Sequence, residues 1–210
     1  MACEATVQKL RRGIEVGRTQ SYETAEVVSA ARNLFWKDGF DSVSVSDMEK
    51  ATGLSRSSIY HAFGSMRGLF DAAVRSYLDD VVRPRLAPLT GAAVDAGALA
   101  RYLGGLADAI EALDDAKLPA GCLLVGTAST SLGIDPAVRE VIAAYRAELS
   151  AAVTAGVRAS KPEASEAVIA ARATSITGAI IGANVLARVD RAEAVRLVRV
   201  LAAEIDTDET

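Results

Sequence analysis

Residues 44–63 read SVSDMEKATGLSRSSIYHAF, and they gather side chains suited to donating hydrogen bonds to a polyanion or a base edge. Arg56, Ser57, Ser58, Tyr60 and His61 all fall within one short run. An arginine can donate two parallel hydrogen bonds to a guanine edge, small serines allow close approach, and tyrosine and histidine offer donors to phosphate. Ser44 precedes this run. Arg67 follows it, beside Ser65, where free backbone N–H groups at a helix start would add an anion-binding end. Other readings of the same residues are plain: Tyr60 as half-buried packing, Arg56 as a solvated charge, His61 as a lone surface histidine.

These side chains need elements to hold them. Val27, Val28, Ala31, Leu34 and Phe35 recur at helical spacing and predict a helix from about Glu23 to Lys37, stopped by Gly39. A short second helix is expected from near Ser46 or Asp47 to Thr52, with Ser44 or Ser46 as its cap and Val45, Met48 and Ala51 facing inward. Gly53 breaks it, and Ser55 then caps a third helix over Arg56–Phe63 with Ile59 and Phe63 buried. A fourth helix, capped by Ser65, is expected to reach Val82, before Arg83 and Pro84. Two helices this short cannot stand alone. They require the first helix beneath them, and the packed unit then presents one helix at the surface, of a size that fits a DNA major groove.

The bulk composition agrees with an all-α chain. Half of the 210 residues are hydrophobic, alanine is abundant and only 5 are proline. The net charge is −4, and residues 1–80 and 81–210 are each slightly acidic, so contact with a polyanion must depend on where charges sit. Two cysteines, Cys3 and Cys122, make neither a disulfide framework nor a metal set, which fits a reducing cytoplasm. No cofactor is implied. No uninterrupted apolar run of about 18 residues argues for a membrane span, and the N-terminus lacks the apolar core of a secretory signal. No paired acids, metal ligands or activated nucleophile stand at useful spacing, so an enzyme is not expected.

The runs AARNLF and GFDSVSVSDMEKATGLSRSSIYHAFGSMRGLF resemble the DNA-binding domain of the TetR family, from Glu23 to about Leu78. The Thr-Gly-Leu-Ser turn and the Ile-Tyr-His-Ala-Phe helix are its most specific parts. The resemblance implies a transcriptional regulator: a homodimer that binds palindromic double-stranded operator DNA and usually represses, releasing DNA when an effector binds the C-terminal helices. It places Ser44, Ser57, Tyr60 and His61 at positions where the family contacts DNA. One position departs: the family often carries lysine where this chain has Met66, leaving Arg67 to reach phosphate from a different angle. The organisation expected is a flexible arm over 1–20, a helix-turn-helix domain over 21–81 with its motif at 44–63, and an effector-binding and dimerisation domain over 82–210, about nine helices in all.

Beyond residue 82 the sequence predicts helices at about 95–113, 121–131, 136–157, 164–188 and 190–205. The run LPAGCLLVGTASTSLGIDPAVREVIAAYRAEL looks like one branch of these regulators. An apolar pocket for an unknown small apolar or amphipathic effector is expected among the helices from 66 to 157, with Tyr77, Leu103, Leu106, Cys122, Val125, Ser129 and Tyr145 as its candidate lining. The same residues read equally as ordinary core. Cys122, near a helix start, opens a second possibility, a thiol that senses electrophiles or oxidants, although no Lys, Arg or His stands within three residues of it. A third is a helical interaction protein whose helix-turn-helix does not bind DNA. Ile176, Ile180, Ile181, Val185, Val198 and Leu201 are the candidate dimer interface, with Gly178 and Gly182 one turn apart to let helices approach.

Overall fold

The computed structural model describes residues 24–112 and 119–207, and the expected arm over 1–20, with Cys3, lies outside them. The described residues form helices and no strands. Helix α1 spans 24–38, α2 Val45–Thr52 and α3 Arg56–Phe63. Helix α4, Met66–Tyr77, runs through a π-helical turn, Leu78–Val82, into α5, Arg83–Leu86. Then come α6 (Ala98–Glu111), α7 (Leu123–Thr127), α8 (Pro136–Ser160), α9 (Glu166–Leu186) and α10 (Arg191–Thr207). With α4 and α5 counted as one interrupted helix, these are nine among the described residues.

Local chemistry explains the starts and stops. Ser44 and Asp47 close a capping box at α2: the Ser44 hydroxyl accepts from the Asp47 N–H, and the Asp47 carboxylate accepts from the Ser44 N–H at 3.1 Å. Helix α2 therefore begins one to two residues earlier than the sequence pattern indicates. Gly53 ends it in the left-handed region at φ 71°, a conformation that costs glycine little. Ser55, Ser65, Asp135 and Ser165 each accept from a first-turn N–H of α3, α4, α8 and α9.

Pro84 does not end the fourth helix, contrary to expectation. The π turn lets the Arg83 N–H reach back five residues to the Leu78 carbonyl. This loosened turn absorbs the ring of Pro84, which in a regular helix would crowd the carbonyl four residues earlier, and the chain stays helical to Leu86. The helix expected over 121–131 shortens to Leu123–Thr127, because the chain turns at 128–130 and re-forms as a 3-10 segment over Ser131–Ile134.

One continuous core joins the two ends of the chain. Phe35 and Phe40 of the N-terminal part pack edge-on against Phe70 of α4 at 5.4 and 5.3 Å, and Trp36 meets Tyr77 at 4.8 Å. From Tyr77 the core continues through Leu99, Leu103 and Leu124 to Leu149, Ile180 and Val198. Helix α10 lies along α6 and α9, and α8 lies along α9.

Candidate nucleic-acid interface

Helix α3 is anchored from one side only. Ile59 is fully buried and Phe63 half-buried, while Arg56, Ser57, Ser58, Tyr60 and His61 are exposed together. The turn before α3 is held tightly: the Glu49 carboxylate accepts the Arg56 N–H at 2.6 Å, and Thr52 Oγ1 accepts the Leu54 N–H at 3.3 Å. A side chain on Gly68 would collide with the Phe63 carbonyl, so glycine lets α4 abut the end of α3.

The exposed donors are partly arranged. The Arg56 guanidinium lies 5.4 Å from the centre of the Tyr60 ring, a cation–π distance. Among the described residues it has no carboxylate within ion-pair distance. Ser55 Oγ bonds Ser57 Oγ at 2.9 Å and Ser58 Oγ at 3.0 Å, so these small hydroxyls sit in one cluster at the start of α3. Tyr60 is 38 % exposed, so part of its ring packs while the rest faces outward. Ser44 is exposed too, with its hydroxyl engaged as the α2 cap, and its hydrogen bond to Asp47 holds that carboxylate below the usual range.

Arg67 is placed differently from the sequence expectation. Its guanidinium bonds Asp135 at 2.8 Å and Asp71 at 2.9 Å, and it is half-buried against the start of α8. A cation so engaged is drawn into a tie between α4 and α8 rather than left facing outward. Asp135, which also caps α8 through the Val138 N–H, is in turn held below the ordinary carboxylate range, chiefly by Arg67.

The chain is similar in sequence and fold to known proteins. The family described as "Bacterial regulatory proteins, tetR family" matches residues 27–73, the stretch from α1 into α4. The HTH-type transcriptional repressor ComR of Escherichia coli (strain K12) is 29 % identical over 116 residues, 54 % of this chain and 53 % of ComR. The repressor BdcR of the same organism is 39 % identical over 62 residues, 30 % of this chain and 32 % of BdcR. The matches thus span about half of the first of these relatives and a third of the second. Among solved structures, the TetR family transcriptional regulator CifR, as a cysteine mutant complexed with 26 bp double-strand operator DNA, superposes with a TM-score of 0.72 at 26 % identity, covering 85 % of this chain and 94 % of that one. Residues 27–73 thus match the TetR family, and the chain as a whole has the fold of TetR-family regulators. A TetR transcriptional regulator from Chloroflexus aurantiacus has the same fold at a TM-score of 0.69 and 26 % identity over 90 % of this chain and 95 % of that one.

The seven expected pocket residues differ in burial. Tyr77, Leu103, Cys122 and Tyr145 are buried core, Val125 is half-buried against it, and Ser129 is exposed on the turn after α7. The Cys122 thiol is 2 % exposed and lies 3.6 Å from the Tyr145 hydroxyl. Burial raises the hydroxyls of Tyr77 and Tyr145 well above their usual range. Leu106 borders a cleft of about 250 Å³ between α1, α5, α6 and α9. Another cleft of about 310 Å³ opens between α4, α7 and α8, walled by Phe70, Val74, Leu124 and Val138. The interface candidates also divide. Ile176, Ile180 and Val198 are buried within the protomer and belong to its core, whereas Ile181 and Leu201 are half-buried and Val185 is 51 % exposed.

The TetR-family fold also brings together residues that sequence reasoning missed. The Trp36 indole N–H donates to the Gly121 carbonyl at 3.2 Å, and Asp41 accepts from the Ser131 N–H at 2.8 Å and from its hydroxyl. Glu49, as the brace of α3, belongs to this group. The available signals were a lone tryptophan inside an amphipathic helix and an arginine, Arg188, closing an apolar one.

Proposed function

We propose that this chain is a homodimeric, sequence-specific DNA-binding transcriptional regulator that works in the cytoplasm. It represses from a palindromic operator and is released by a small apolar or amphipathic effector. The observation that carries this reading is the exposed face of α3, where Arg56, Ser57, Ser58, Tyr60 and His61 stand clear of a helix pinned by Ile59. Arg56 and the serines would meet base edges, and Tyr60 and His61 phosphate.

Helix α9 supports the dimer. It is largely apolar, with an 18-residue stretch of mean hydropathy 1.4, yet only 39 % of that stretch is buried within the protomer. Its outward positions, Gly178, Gly182 and Val185, are uncharged, and a side chain added at either glycine would meet nothing within 4 Å. A twin α9 packed there would bury that surface and set two α3 helices at about one DNA turn, or somewhat more, on one duplex. The thiol-sensing alternative gains nothing from the buried Cys122, which among the described residues has no cationic neighbour in hydrogen-bond contact.

A gel-shift assay with the DNA upstream of the chain's own coding sequence tests this. Specific retardation is expected, with Arg56→Ala costing about 1–3 kcal/mol and relaxing sequence preference, and Tyr60→Ala weakening binding to all sequences alike. Equal affinity for this DNA and a scrambled duplex, or full binding by the Arg56→Ala, Tyr60→Ala double variant, would overturn it.

A further inference from the structure

The cleft between α1, α5, α6 and α9 has walls of two kinds. Trp36 of α1 and Leu106 and Ile110 of α6 supply apolar surface, and Asn33 and Asn184 add neutral hydrogen-bonding groups. Two arginines border it, and they differ in availability. Arg32, its side chain 13 % exposed, is bonded to Asp80, Ser76, Ser29 and Asn33, so its donors are engaged. Arg85 is exposed and has no carboxylate within ion-pair distance among the described residues. Its charge is felt at the hydroxyls of Tyr77 and Tyr102, but burial keeps both neutral, pushing Tyr102 up to about 12. A guanidinium with no carboxylate partner among the described residues, beside an indole and an aliphatic wall, selects an anion with an apolar body. The volume of about 250 Å³ favours a small one.

We propose that this cleft binds a small organic anion, an aromatic or short-chain aliphatic monocarboxylate, with its carboxylate on Arg85 and its apolar body against Trp36, Leu106 and Ile110. The regulatory consequence rests on the ligand-responsive reading above, while the binding itself does not. An occupant so placed touches α1, α5 and α6 at once. It bears on Trp36 where the indole holds the Gly121 carbonyl, so a ligand that prefers one arrangement of that joint shifts the orientation of the helices carrying α3.

The full-length chain without DNA provides the test, because Trp36 is its only tryptophan and its fluorescence reports on the cleft itself. Pentanoate and benzoate are titrated against pentanamide and benzamide at constant ionic strength. At least one carboxylate should give a saturable change that its amide does not, Arg85→Gln should weaken it about tenfold or more, and Arg85→Lys should weaken it less. No saturable change with either carboxylate up to about 10 mM, equal titration by the amides, or undiminished affinity in Arg85→Gln would each overturn the proposal. Gel-shift of the ligand-free chain fails independently if the DNA reading is the one at fault.

Discussion

Arg188, in the turn that ends α9, donates to the Trp36 carbonyl oxygen at 3.1 Å, and with the same nitrogen to that of Lys37 at 2.8 Å. The last carbonyls of a helix have no partner within it, and a cation there also meets the negative end of the helix dipole. A side chain from near the C-terminus thus caps the helix that braces the recognition surface. Gly121, beside it, adopts φ 77°, and a side chain there would strike the Asn184 carbonyl, so α1, the turn before α7 and the end of α9 meet at one point.

Replacing Arg188 by alanine is expected to cost about 1 kcal/mol, since the bonds it makes are charge-assisted but partly solvated. A lower midpoint of denaturant unfolding checks this. An unchanged midpoint would mean the cap is ornamental.

Ile59→Ala should cost about 2–5 kcal/mol, because it empties a fully enclosed site under α3. Tyr60→Ala, one position along but exposed, should leave the unfolding midpoint within about 0.5 kcal/mol of the parent. If calorimetry ranks the two the other way, the assignment of inner and outer faces of α3 is incorrect.

Gly182→Leu should leave the protomer folded and somewhat more helical, because glycine inside a helix costs about 1 kcal/mol relative to a good helix former and nothing in the protomer occupies the space. The same bulk would hold two α9 helices apart. Analytical ultracentrifugation should find monomers, and a variant that remains a dimer removes α9 from the interface.

The tie between Arg67 and Asp135 gives a pH dependence of known sign. Asp135 is depressed in the folded chain, so it binds a proton more readily when unfolded. Its stabilisation is fully present above the ordinary carboxylate value of 3.8 and is lost as pH falls through the lower folded value. Asp135→Asn should flatten that part of the stability curve, as followed by urea unfolding between about pH 5 and pH 2. An identical slope in parent and variant would show that the tie contributes nothing.

Local chemistry was legible in the sequence. Ser55 and Ser65 cap the helices they were expected to cap, and Ile59 faces inward, because a first-turn hydrogen bond and a 3.6-residue period are decided within a few positions. What a helix meets on each side is not encoded that locally. Helix α9 spreads its apolar residues over several faces, so its pattern named no single inner face, and only the packing of α8 and α10 turned Ile176 and Ile180 inward and left Val185 out. Arg67 likewise carried its charge in the sequence, but whether that charge faced outward or paired with Asp135, 68 residues away, was decided when α4 and α8 came together.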